Sequence, residues 1–260
     1  MKPKTVEFLN LLLWSADQLM RPTFRNLTDS YESWAYRNGL LRQMAVLERE
    51  NLVESDPDAP KDRVYRLTAA GRVCALGGRD PQARWSRKWD GRWRLAMFDI
   101  PTGQDTQRDW LRRYLRDRAF GCLQQSVWIT PDPLQHERQV IDGGRINVKS
   151  IILFEGRPCA GESDTKIVAG AWDFDRINHR YACHLKVLGE RPGGTLRNEP
   201  TARALLGWAK AEREAWIDAV RLDPLLPERI LPPGYLGRDA WQRRVEVLEE
   251  ARQQLLTFGS

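Results

Sequence analysis

The 260-residue chain is poor in the residues that build metal and disulfide sites, with four cysteines and three histidines. Cys74, Cys122, Cys159 and Cys183 contain no C-x-x-C pair, and their spacing fits neither a disulfide framework nor a zinc site. His136 stands alone. His179 and His184 flank Cys183, which raises a metal, but polar and core positions on one helix account for the three residues. Reduced thiols are the default, and no metal or cofactor is expected. Long apolar runs are also missing. The best candidate, Phe8–Trp14, is interrupted by Asn10 and falls far short of the roughly 20 residues of a membrane span. The start, Met1-Lys2-Pro3-Lys4-Thr5, has charge but no clean apolar core or small-residue cleavage site behind it. These absences exclude a membrane-spanning protein, count against a secreted one and place the expected protein in the cytoplasm.

What is present suits a soluble, core-forming chain: 42% hydrophobic and 29% charged residues, with a net charge of +6. The excess is uneven. Residues 1–84 carry a net +2, and the short segment 85–94 alone carries +3. Residues 95–187 add +1 and the remainder is neutral. A moderately basic N-terminal part is compatible with nucleic acid, although a mixed solvated surface explains the same balance.

Hydrophobic periodicity predicts a first helix over Val6–Met20, stopped by Pro22. A second helix is predicted over Trp34–Asn51, with Leu40, Met44 and Leu47 on one face. Short strands at Leu52–Glu54 and Arg63–Leu67 then flank a polar, Pro-containing tip and read as a hairpin. Thr68-Ala69-Ala70-Gly71 opens another short helix. Helices followed by a two-stranded hairpin make a winged helix-turn-helix, with Trp34–Asn51 as the second helix of the turn motif. Such a helix fits the major groove of B-DNA. Tyr36, Arg37, Asn38, Arg42 and Gln43 lie at its entry or opposite the apolar face, and Arg, Asn and Gln make the bidentate contacts that tell G from A. Lys61 and Arg63 at the wing would meet phosphate. The competing reading is a solvated face on a protein-binding winged helix, which Glu32, Glu48, Glu50, Asp56 and Asp58 favour a little.

Gly77-Gly78-Arg79-Asp80-Pro81 marks a boundary. Beyond it, Arg84–Arg94 interleaves Trp and Arg, which suits stacking on bases or holding an anion. The alternative is a linker docked by its indoles. A strand over Trp93–Ile100, a helix over Gln104–Asp117 and strand-forming sequence over Phe120–Thr130 follow. A helix around Pro133–Ile141 and a strand over Val148–Phe154 complete a ferredoxin-like order. Helices are predicted over Asp173–Leu188, Thr201–Arg221 and Arg238–Phe258. On the last, Trp241, Val245, Leu248 and Leu255 form a stripe for dimerisation or for packing on Thr201–Arg221, with Arg243 and Arg244 elsewhere. The fold expected is α+β: a winged helix over 1–80, a Trp/Arg-rich linker over 81–92, a ferredoxin-like domain over 93–190 and a helical domain over 191–260.

Three stretches together resemble the PaaX-like family of transcriptional repressors. They are Val64–Arg72 closing the winged helix, Trp89-Asp90-Gly91-Arg92-Trp93-Arg94-Leu95 running on to Pro101 and then Phe120–Ile129, and Asp223-Pro224-Leu225-Leu226-Pro227 with Ile230–Tyr235. Tyr235-Leu236-Gly237 stands where the family has Trp-Pro-Gly. The resemblance implies a homodimeric repressor of a catabolic operon that binds double-stranded operator DNA. It also implies an aromatic acyl-CoA thioester as the effector that releases DNA. The middle domain is similar to the small ferredoxin-like subunit of CRISPR integrases, and Asp99 and Ser126 match that subunit's pattern.

The expected function is therefore a sequence-specific DNA-binding repressor and not an enzyme, with no catalytic residues. One alternative is a metal-dependent nuclease through Asp99, although one carboxylate is not a two-metal site and no neighbouring motif supplies a second ligand. The other is a winged-helix protein-interaction module.

Overall fold

A computed structural model describes residues 46–55, 65–75, 79–100, 103, 105–134, 150–194 and 199–256. In chain order its elements are β1 (Val53–Ser55), β2 (Tyr65–Leu67), α1 (Ala69–Ala75) and α2 (Pro81–Trp85). Next come β3 (Trp93–Asp99), α3 (Asp105–Asp117), β4 (Gly121–Gln124), β5 (Val127–Thr130) and β6 (Ser150–Gly156). The last are α4 (Asp164–Ala171), α5 (Phe174–Gly189), α6 (Glu199–Leu222), a 3₁₀ turn (Glu228–Ile230) and α7 (Gly237–Leu256). The protein is an α+β protein. Its chain divides into two compact units, one of Met1–Asp80, His179–Arg221 and Leu236–Ser260, the other of Pro81–Asn178 and Leu222–Tyr235. The ferredoxin-like strands and the Trp/Arg-rich segment 81–92 thus fall in one unit.

In the first unit, the helix entering at residue 46 ends where the sequence places a stop. Asn51 takes a positive φ of 56°, and the Leu52 amide reaches back to the Leu47 carbonyl at 2.8 Å. Asn tolerates this left-handed conformation better than most residues, so it closes the helix. β1 and β2 pair antiparallel, with Val53 opposite Leu67. The Thr68 hydroxyl then accepts from the Gly71 amide at 2.9 Å and caps α1. The remaining helices share a core of Leu188 on α5, Leu205 and Trp208 on α6, and Val247 and Ala251 on α7.

The buried face of α7 keeps Trp241 of the expected stripe, and Leu248 packs against the helical core, but Val245 is not part of it. Ala240, Trp241, Arg244, Val247 and Ala251 are buried, whereas Val245 is 44% exposed. The seam runs at helical spacing through Arg244, a residue that reads as surface from its charge alone. The side chain of Leu255 lies outside the described residues.

The second unit is built on a four-stranded antiparallel sheet ordered β4-β5-β3-β6. Counted within this unit, the strands lie in the order second, third, first, fourth, which is the ferredoxin-like arrangement. The helix expected around Pro133–Ile141 falls largely outside the described residues. Alternation along β3 and β5 serves two layers. Ala96, Phe98 and Trp128 pack against Leu111 and Leu115 of α3. Trp93 and Ile129 pack instead with Val168 and Ala171 of α4 and with Leu226 and Ile230. α4 lies very close to β4: a Cβ built on Gly121 would sit 2.6 Å from both the Ala171 Cβ and the Trp172 ring. Only glycine fits there.

Candidate functional site

Every residue assigned to DNA from the sequence lies outside the described residues: Tyr36, Arg37, Asn38, Arg42 and Gln43 of the predicted helix, and Lys61 and Arg63 of the predicted wing. What is described of this part of the chain is a helix end, with Leu47 fully buried, and the antiparallel pair β1–β2.

The Trp/Arg segment is docked. Trp85 is buried and donates from Nε1 to the Tyr235 hydroxyl at 3.1 Å. That hydroxyl donates in turn to Asp223, whose other carboxylate oxygen accepts from the Leu225 amide at 2.8 Å. A Tyr at 235 can accept the indole proton and pass one on, which a Trp there could not. Trp93 donates to Asp164 at 2.8 Å, and Trp89 donates to the Arg92 carbonyl at 2.9 Å. The arginines are paired as well. Arg94 is 7% exposed at its side chain and is shared by Asp90 and Glu155, and Arg92 also reaches Glu155. The hydrogen bond from Arg94 holds the Asp90 carboxyl below its ordinary range, and Asp90 in turn raises Arg94. Arg84 and Arg87 both bind Asp132 at 2.7 Å. Burial pushes the Asp132 carboxyl up, yet the two guanidinium groups win and hold it low. Burial lowers Arg87 in turn.

A concave site does exist in this unit. A cleft of about 930 Å³ opens between α3, the ends of β3 and β5, and the start of α5. Its apolar walls include Phe98, Phe120, Trp128 and Trp172. Arg108, Arg112 and Arg116 recur every four residues along α3 and so share one face, and Arg176 joins them from α5. Asp99 and Asp173 are the carboxylates of its lining.

Comparison with known proteins gives a family likeness for the middle of the chain. Residues 86–168 match the PaaX protein central Cas2-like domain. The likeness to PaaX rests on this segment. No curated protein matches it closely enough to count as a relative. Among solved structures it is similar to an uncharacterized protein, Rv0674 from Mycobacterium tuberculosis, at 17% identity and a TM-score of 0.48, over 84% of each chain.

Motifs of this matched segment have visible structural work. The Asp90-Gly91-Arg92 turn needs Gly91 at a φ of 76°, and the Arg92 amide donates to Asp90 at 3.0 Å. Asp99 ends β3 with its side chain exposed, and the Ser126 carbonyl in the β4–β5 turn accepts from the Phe98 amide at 3.1 Å. No group of three or more His, Cys, Asp or Glu able to hold a metal occurs among the described residues.

His179, Cys183 and His184 occupy core and surface positions of α5. His179 Nε2 and Cys183 Sγ are 3.7 Å apart on the exposed side. His184 is fully buried, 2.9 Å from Glu212 on α6. Glu212 also accepts from Arg244 of α7 at 2.7 and 3.3 Å. Burial pushes the Glu212 carboxyl up, but Arg244 and then His184 bring it below the ordinary carboxylate range. Arg244 further lies 5.0 Å from the Trp216 ring centroid. Sequence reasoning missed this buried triad. Its members are far apart in the chain, and Glu212 and Arg244 read as ordinary surface residues. The arginine face of α3 was legible as periodicity, but not as the wall of a cleft.

Proposed function

We propose that this PaaX-like chain is a sequence-specific DNA-binding transcriptional repressor. It acts as a homodimer on double-stranded operator DNA and is released by an aryl-CoA thioester. The observation that carries the reading is the match of residues 86–168 to the central domain of the PaaX protein. The hairpin β1–β2, following a capped helix, supports a winged helix within residues 1–80. Arg37, Asn38, Arg42 and Gln43, with Tyr36 at the helix entry, are assigned to base reading, and Lys61 and Arg63 to phosphate. Residues 191–260 are assigned to dimer formation. No residue is assigned a catalytic role. Release requires the thioester to bind the DNA-incompetent state more tightly, because equal affinity for both states shifts nothing.

The test is fluorescence anisotropy on the protein's own upstream DNA against a scrambled duplex, across salt, with and without aryl-CoA thioesters. Specific binding lost on adding one thioester is the expected result. Arg37→Ala or Arg42→Ala should cost about 1–3 kcal/mol on the specific duplex, and Lys61→Ala should weaken all duplexes alike. Equal affinity for both duplexes refutes the reading. Metal-dependent cutting that vanishes in Asp99→Asn assigns a nuclease instead.

A further inference from the structure

The histidines and the cysteine of α5 separate into two unlike sets. His184 is turned into the core, where Nε2 lies 2.9 Å from Glu212, so it takes no part in anything at the surface. His179 and Cys183 stand on the exposed side of the same helix, four residues apart. Residues at that spacing are neighbours on a helix surface. Here the His179 Nε2 comes within 3.7 Å of the Cys183 Sγ. Neither side chain belongs to the helical core, so packing does not account for the pair. The other cysteines differ. Cys74 is half-buried, Cys159 is exposed, and Cys122 directs its Sγ to the Gln124 carbonyl at 3.2 Å. Among the described residues, Cys183 is the cysteine with an imidazole against it.

The separation matches a coordination geometry. A zinc ion takes thiolate sulfur at about 2.3 Å and imidazole nitrogen at about 2.0–2.1 Å, in tetrahedral arrangement. Two such ligands on one ion therefore stand about 3.5 Å apart. The 3.7 Å between Sγ and Nε2 is close to that bite, so an ion fits between them with small side-chain adjustments and no movement of the helix. Both ligands ride on one turn of a formed helix, so little freedom is lost when the ion arrives. The ligand types select the ion: magnesium and calcium take oxygen, whereas thiolate with imidazole suits zinc and other thiophilic cations. Two protein ligands leave two positions to water, which makes the ion exchangeable and not a closed structural centre. We propose that Cys183 and His179 form a surface site for an exchangeable thiophilic divalent cation of the zinc class. On binding, the Cys183 thiol releases its proton to solvent. The thiolate and the neutral Nε2 then each donate an electron pair, and the ring proton sits on Nδ1. The inference stands without the DNA-binding reading, because it needs nothing from residues 1–80.

The experiment titrates Cd²⁺, a thiophilic stand-in for zinc, into the reduced full chain and follows the thiolate-to-metal charge-transfer absorption, with Zn²⁺ then added as competitor. A tight phase should appear and be displaced by Zn²⁺. Its affinity should rise with pH, because the ligand is the thiolate. Cys183→Ser should abolish the phase, and His179→Gln or His179→Ala should weaken it about tenfold or more. Replacing Cys122 and Cys159 together by Ser should leave it unchanged. Bound Zn²⁺ should also slow alkylation of Cys183 by iodoacetamide, read by mass spectrometry, in the wild type and not in His179→Gln. Both side chains are exposed, so their replacement leaves the fold intact, and circular dichroism checks this. Absence of a charge-transfer band on the folded wild type overturns the proposal. A band undiminished in both His179 variants also overturns it, since a lone thiol is then the ligand. So does a band that survives Cys183→Ser.

Discussion

Glu212→Gln tests the hub of the helical unit. The carboxylate is buried and accepts from Arg244 Nε at 2.7 Å, from Arg244 Nη2 at 3.3 Å and lies 2.9 Å from His184 Nε2. Glutamine keeps the shape and one acceptor but removes the charge. It leaves Arg244, itself 5% exposed, buried without a counter-ion. Breaking a buried pair from one side costs about 3–5 kcal/mol, a large part of a domain's typical 5–15 kcal/mol. At 1.4 kcal/mol per tenfold, a loss of about 3 kcal/mol speeds amide exchange roughly 150-fold wherever exchange needs the unit to open. Hydrogen-exchange mass spectrometry on peptides of α6 reads that unit directly. The double variant Glu212→Leu, Arg244→Met removes both charges and should recover much of the loss, because paired apolar replacements of buried ions are often neutral. A single-variant effect below about 1 kcal/mol, or a double variant worse than the single, would refute the view that the pair is electrostatically matched.

The other expectations are compact. Stability should fall in acid: Glu212 and Asp132 are held below their ordinary values, so their contribution is full above the unfolded carboxylate pKa and is lost as pH drops through the folded one. Glu212→Gln should flatten that acid limb in urea titrations run across pH. Ala119 closes α3 at a φ of 63°, with the Phe120 amide on the Leu115 carbonyl at 3.0 Å, so Ala119→Gly should stabilise by about 1 kcal/mol in thermal melts. Gly121→Ala should destabilise by about 1–3 kcal/mol, because its Cβ meets Ala171 and Trp172 inside contact distance. An unchanged melting temperature would mean α4 moves away freely.

Much of the fold follows from local sequence. Period-two alternation and Pro101 define β3, period 3.6 defines α3, α6 and α7, and Asn51 marks its helix end because few other residues adopt φ > 0 cheaply. The order of these elements determined the ferredoxin-like sheet, since short connections leave few topologies. The Trp/Arg segment shows where local reading stops. Its composition fits stacking on bases as well as docking, and only tertiary contacts with Asp132, Glu155, Asp164 and Tyr235 decide for docking. Arg244 is the sharper case. A charge reads as exposed because burying it alone is costly, and what reverses that is Glu212, 32 residues away. The arginines of α3 are the converse: four-residue spacing puts them on one face, but only the packed strands and α5 make that face concave. Spacing along a chain determines which side chains share a face, and the fold alone determines what that face meets.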